Sequence, residues 1–262
     1  MTENQQNNIK ALILDMDGVL WRDNEPIGDL PRTFKKIRSL GLKVLLATNN
    51  SSQTPQQYQQ KLANFGVSIS PDQIITSGIA TAFLLKKRYP QGGKFFVLGS
   101  PALKQTIRQN GFLVSDQDVL AVVVGLTKDF NYHTLAQAAL LINNGADFIG
   151  SNPDPALPTP QGFLPGTGAL LAFIEAVTSK KPFLAGKPYQ TMMEMALQRL
   201  NLLPHEILVI GDRLTTDIVF GQKAGCKTGA VLSGVSSRVE VENWKPDINL
   251  IGENLESIID QL

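Results

Sequence analysis

The sequence predicts an α/β protein with a doubly wound parallel sheet and a second, inserted α/β unit. Three observations carry this. Short, evenly apolar runs alternate with amphipathic helical segments in βαβ order, the pattern of a parallel sheet covered on both faces. Polar and acidic residues follow directly on several of those runs, where an open α/β sheet binds its ligands. The middle of the chain repeats the strand–helix cycle on its own account.

Taken in order, Ile9 to Leu14 reads as the first buried strand. Leu30 to Leu40 reads as a helix with Phe34, Ile37 and Leu40 on one face and Gly41 as its stop. Val44 to Ala47 is the next strand, and Thr54-Pro55 opens a helix that ends near Gly66. The middle stretch offers strands at Phe95 to Leu98, Val119 to Val124 and Phe148 to Ile149, with helices at Pro101 to Asn110 and Thr134 to Asn143. Ser151 to Gly162 holds four of the fifteen prolines and is expected to be a stiff, non-helical loop. Phe183 to Ala185, Ile207 to Ile210 and Gly229 to Leu232 complete the candidate strands. The expected division is a core from residues 1–79 and 181–262, interrupted by the inserted α/β unit over residues 80–180.

Composition removes several function classes. The 262 residues are 43% hydrophobic and 18% charged, which places the chain among globular proteins. Its 24 basic and 23 acidic side chains leave a formal charge of +1, too little for a broad electrostatic grip on nucleic acid. The runs Lys35-Lys36, Lys86-Lys87-Arg88 and Lys180-Lys181 read as solvated helix faces. The first ten residues are polar, and no stretch is apolar for the length of a membrane span, so a cytoplasmic protein without a membrane partner is expected. The single Cys226 excludes an internal disulfide and a Cys-rich zinc site. His133 and His205 are the two histidines, and no G-x-S-x-G, Walker A or G-x-G-x-x-G sequence occurs.

The chemistry-bearing residues stand at strand ends. Asp15 and Asp17 follow the first strand; two residues apart in extended backbone, they share a side, and Gly18 then breaks the regular chain. The second strand ends in Thr48-Asn49-Asn50-Ser51, hydroxyl and amide groups suited to anionic oxygens. Another ends in Gly186-Lys187-Pro188. Ile207 to Ile210 ends in Gly211-Asp212, with Asp217 close enough to share a cation with Asp212. Each cluster alone is compatible with a turn or an N-cap. Four of them, each closing its own apolar run, would converge on one edge of a parallel sheet.

At these residues the chain resembles the haloacid dehalogenase (HAD) superfamily of phosphohydrolases. D-x-D-G-V-L stands at Asp15 to Leu20, the threonine at Thr48, the lysine at Lys187 and G-D-x-x-x-x-D at Gly211 to Asp217, in the superfamily's order. Asp15 to Arg22, Thr48 to Ser51, Pro165-Gly-Thr-Gly168 and Gly186-Lys-Pro188 are similar to the branch that contains nitrophenyl-phosphate, phosphoglycolate, pyridoxal-phosphate and nucleotide phosphatases, which carries a large α/β cap.

The resemblance implies a Rossmann-like core and a Mg²⁺-dependent phosphatase acting on small phosphomonoesters through an aspartyl-phosphate. In that scheme Asp15 is the nucleophile and Asp17 the general acid and base. Thr48, Asn49, Asn50 and Lys187 hold the phosphate. Asp15, the Asp17 carbonyl and Asp212 bind Mg²⁺, with Asp217 on the ion or one layer behind it. An oxygen-rich ligand set without Cys or His suits Mg²⁺ better than zinc. The loop from Asn152 to Pro158, through Asn152, Asp154 and Leu157, is expected to set specificity. Animal pyridoxal-phosphate phosphatases of the branch carry a histidine in that loop, where this chain has Ala156-Leu157, and that counts against pyridoxal phosphate. Homodimers through the cap are frequent in similar proteins. Two alternatives stay open: a phosphotransferase using the same intermediate, and a catalytically silent phosphate-binding protein. A response-regulator receiver domain needs about half this length and has no late G-D-x-x-x-x-D.

Overall fold

The computed structural model describes residues 8–159 and 161–262. The polar amino terminus discussed above falls largely outside them. The chain forms two compact units. One comprises the residues up to Thr48, Pro55–Ile75 and Met193–Leu262; the other comprises Asn49–Thr54 and Thr76–Met192.

The first unit is built on a six-stranded sheet in the order Leu250–Gly252, Lys227–Val231, Ile207–Gly211, Ala11–Leu14, Lys43–Thr48 and Ile74–Thr76. Ala11–Leu14 lies at the centre, parallel to both neighbours, with Leu14 opposite Ile210 on one side and Leu46 on the other. Leu12, Leu14, Leu46, Leu208 and Ile210 pack with Phe34 and Ile37 in one core cluster. Fully burying a side chain such as Phe34 or Ile37 contributes about 1.5–3 kcal/mol. Their helix, Leu30–Ser39, begins where the Asp29 carboxylate accepts the Arg32 N–H at 3.0 Å, and Pro31 fits its first turn. Leu40 departs from the expectation. It is the C-cap and is 42% exposed, because the chain turns at Gly41 (φ +70°) before its side chain can reach the core.

The second unit has a five-stranded parallel sheet in the order Phe183–Leu184, Asp147–Gly150, Ala121–Val124, Lys94–Leu98 and Leu113–Val114. Ala121–Val124 is fully buried, flanked by the helices Pro101–Gln109, Tyr132–Asn143 and Thr167–Thr178. Phe183, read as part of a buried strand, is instead at the sheet's edge and 48% exposed, with the Arg88 guanidinium 3.9 Å from its ring centroid. The proline-rich loop also departs from expectation. Ala156–Thr159 pairs antiparallel with Gly162–Pro165 as a hairpin. A two-stranded ribbon accepts proline because only one side of each strand needs ladder bonds. No helix among the described residues is long and apolar enough to cross a membrane.

Candidate active site

In the first unit, backbone register places the acids. Since Leu14 and Ile210 are opposite in a parallel pair, Asp15 and Gly211-Asp212 leave the sheet at the same level, and the Asp15 N–H donates to the Ile210 carbonyl at 2.9 Å. Asp217 is returned to this edge by the π-helical turn Leu214–Ile218, where its carboxylate accepts the Arg213 N–H at 3.1 Å. Gly211 permits that approach: a Cβ there would stand 2.1 Å from the Asp217 Cβ. Asp212 and Asp217 are buried and Asp15 is half-buried. Carboxylate oxygens of Asp15, Asp212 and Asp217 all lie within 4.8 Å of one another. Three acids so close repel one another strongly unless a cation joins them, and an all-oxygen donor set fits a hard divalent ion.

Gly18 completes this edge. Its φ of +84° is left-handed, and a Cβ would come 2.5 Å from Asp212 Oδ2, so the glycine after Asp17 meets two demands at once. Asp212 Oδ2 also accepts the Val235 N–H at 2.8 Å, and the Ser233 hydroxyl donates to the Gly18 carbonyl at 2.7 Å. The segment from Ser233 to Ser236 escaped the sequence reading, because it acts through one backbone N–H and two serine hydroxyls, groups that no local pattern marks out.

Asp17 is exposed, and its Oδ1 accepts the Trp21 indole N–H at 2.8 Å. Trp21 is fully buried, stacked on Tyr58 with centroids 6.1 Å apart and tilted against Phe65 at 6.0 Å. Lys61 Nζ sits 4.3 Å over the indole and donates to the Asp23 carbonyl at 2.7 Å. Burial first, then the charges of Asp17 and Asp15, hold the Tyr58 hydroxyl well above the usual phenol range. Sequence reasoning placed Trp21 inside a signature without a role; an aromatic four residues after an acid, ahead of an amphipathic helix bearing Tyr58 and Lys61, was the available signal. Thr48, predicted to hold phosphate, is buried at the end of Lys43–Thr48 in this unit.

In the second unit the predicted residues form a hydrogen-bonded cluster. Lys187 is 3% exposed. Asn49 Oδ1 accepts the Lys187 N–H at 2.8 Å, while Asn49 Nδ2 donates to the Lys187 carbonyl at 3.0 Å and to Asp154 Oδ2 at 3.1 Å. Asn152 Nδ2 reaches the Asn49 carbonyl at 2.7 Å and Thr167 Oγ1 at 3.1 Å. Asn50 Oδ1 accepts both the N–H and the hydroxyl of Ser52, an Asx turn within its own loop. Leu157 is half-buried in the hairpin.

Carboxylates at the ends of adjacent parallel strands, three of them close enough to share a metal ion, mark the fold and site as those of an α/β protein whose candidate chemistry is carried by acids. The chain belongs to the haloacid dehalogenase-like hydrolases. That family's model matches residues 12–113, and a second, HAD-hydrolase-like model matches residues 184–258. The chain is 37% identical over 235 residues to the ribonucleotide monophosphatase NagD of Escherichia coli K12, covering 90% of this chain and 92% of that one. Among solved structures it resembles 4-nitrophenylphosphatase from Thermotoga maritima (TM-score 0.93, 30% identity, 98% of each chain). It also resembles a glycerol phosphate phosphatase from Mycobacterium tuberculosis in complex with calcium (TM-score 0.88, 31% identity, 97% of this chain and 75% of that one).

Proposed function

We propose that the protein is a Mg²⁺-dependent phosphatase of small phosphomonoesters that works through an aspartyl-phosphate on Asp15. The observation that supports this most directly is the meeting of Asp15, Asp212 and Asp217 oxygens within 4.8 Å at the sheet edge. An Asp15 carboxylate oxygen attacks phosphorus, the bond to the leaving oxygen breaks, and Asp17 gives that oxygen its proton. Asp17, now ionised, takes a proton from water, which attacks phosphorus and breaks the bond to Asp15, releasing phosphate. Thr48 and Lys187 hold phosphoryl oxygens through both steps, with Asn49 and Asn50 in the same binding segment. Asp15, the Asp17 carbonyl and Asp212, with Asp217 on the ion or one layer behind it, would hold Mg²⁺, which would supply positive charge to offset the repulsion between an anionic nucleophile and an anionic substrate.

The substrate class is small and broad. Relatives named for ribonucleotide, nitrophenyl and glycerol phosphates support phosphomonoesters as a group. The 152–158 loop is the segment we assign to choosing among them, and substitutions at Leu157 are expected to alter discrimination more than turnover of a small ester. Phosphate release from a phosphomonoester panel, with Mg²⁺ and then with EDTA, tests the reading. Release unaffected by chelation, or none from any ester, overturns it.

A further inference from the structure

We infer that Asp154 and Asn49 form a positioning pair for Lys187, so that this carboxylate of the 152–158 loop holds the lysine in place instead of reading the substrate. The inference deepens the proposed function and rests on its assignment of phosphoryl oxygens to Lys187.

The Asn49 amide has two N–H donors and one carbonyl, and all three are engaged. Its oxygen takes the Lys187 N–H, one hydrogen goes to the Lys187 carbonyl, and the other goes to Asp154 Oδ2. A single side chain therefore clamps both backbone polar groups of Lys187, as a neighbouring strand would, and fixes the root of the lysine side chain. Asp154 reinforces the orientation that the two Lys187 contacts already favour. Flipped, the amide would set its oxygen against both the carboxylate and the Lys187 carbonyl while pointing N–H groups at the Lys187 N–H, so every contact would turn repulsive.

Asp154 is itself anchored. Its N–H donates to Asn152 Oδ1 at 3.1 Å, and its carbonyl accepts the Gly168 N–H at 2.8 Å. The Pro155 carbonyl accepts the Gly166 N–H at 2.9 Å. A Cβ at Gly168 would lie 2.2 Å from the Pro153 carbonyl oxygen, so this turn is shaped to receive the loop backbone. Pro165-Gly-Thr-Gly168, a signature to which the proposed chemistry assigns no task, is thus the seat of Asp154. The path runs from that turn through Asp154 and Asn49 to the Lys187 backbone, with Asn152 and Lys187 each 3% exposed along it.

Inorganic phosphate is the discriminating probe, because it has no leaving group for a specificity residue to read. Asp154→Ala is expected to weaken competitive inhibition by inorganic phosphate about tenfold, the scale of one hydrogen bond to a charged group. It should lower kcat/KM by the same factor for every ester. Asn49→Ala, which also removes both bonds to the Lys187 backbone, should show at least that loss, and Asp154→Ala added to it should cost nothing more, since Asp154 acts through Asn49. Asp154→Asn, whose amide oxygen still accepts the Asn49 N–H, should restore most of the affinity. Unchanged phosphate inhibition in Asp154→Ala, unequal losses among esters, or multiplying losses in the double variant would overturn the inference. Lys187→Ala separates the two levels. If it abolishes phosphate inhibition and Asp154→Ala does not weaken it, the positioning pair alone is wrong; if Lys187→Ala leaves inhibition intact, the lysine assignment falls and the pair with it.

Discussion

In the first unit Asp15, Thr48 and Asp212 stand within two residues of strand positions that face one another in a parallel ladder. In the second, Asn49 reaches Asp154 across 105 residues of sequence and Lys187 across 138, through side-chain amide hydrogen bonds. Backbone register places Asp15 and Asp212, whereas side-chain hydrogen bonds place the lysine. The difference teaches where mutation should separate chemistry from geometry. Replacing an acid in the first unit removes charge from a site whose shape the sheet maintains. Replacing an amide in the second unit leaves the charges and loosens their placement.

The largest effect should follow Asp15→Asn. Turnover falls to background while the fold survives, because the residue ends a strand outside the apolar core and its loss relieves repulsion with Asp212 and Asp217. Phosphate release and a melting curve check both halves. Retention of more than a few per cent of metal-dependent activity would break the covalent mechanism.

Asp17→Asn comes next, with a loss of about 10²–10⁴ in rate for one general acid–base group. Nitrophenolate departs without a proton and a sugar alkoxide does not, so phosphorylation of Asp15 should suffer far more with alkyl phosphates. Rapid-mixing kinetics with nitrophenyl phosphate should show a burst of about one equivalent before slow turnover. Equal losses on both ester types with no burst would reduce Asp17 to a turn residue or a backbone ligand.

A matched pair of glycines tests the comparison directly. Gly211→Ala and Gly168→Ala each force a Cβ to within 2.1–2.2 Å of a neighbouring atom. Each should cost about 1–3 kcal/mol in stability. The first should raise the Mg²⁺ concentration needed for half-maximal activity, and the second should weaken inhibition by phosphate with the metal requirement unchanged. Metal and phosphate titrations that move together in both variants would show that the two units are not built by separable devices.

The smallest effect concerns acid stability in the second unit. Burial pushes the Asp147 carboxyl up, but hydrogen bonds from Tyr89 and Arg88 outweigh it and hold the pKa below the usual range. A depressed folded-state pKa contributes stability that is present above the unfolded value near 4 and is lost as pH falls through the lowered one. The pair is partly exposed, so the contribution is below about 1 kcal/mol. Asp147→Asn should flatten the decline in melting temperature over that acid range, and an unchanged slope would remove Asp147 from the account.

The alternation of apolar runs with amphipathic helices, and the placing of Asp15, Asp17, Thr48, Lys187 and Asp212 at or just past strand ends, were legible in the sequence. Both are local: periodicity is written in neighbouring residues, and an acid after a buried strand is visible whatever the strand pairs with. Strand pairing itself was not legible. That Leu14 faces both Ile210 and Leu46, and so brings Asp15 level with Asp212, depends on register between segments far apart in sequence. Edge positions and the proline-loop hairpin were equally hidden, since exposure of Phe183 and pairing of Leu157 with Leu164 are properties of neighbours. The same reason governs the site. Asn49 belongs to a phosphate-binding signature by sequence, yet its side chain is committed to Lys187 and Asp154, and Trp21 gains its contact with Asp17 through the turn at Gly18. A side chain's partners are decided by packing, which sums contributions from the whole chain.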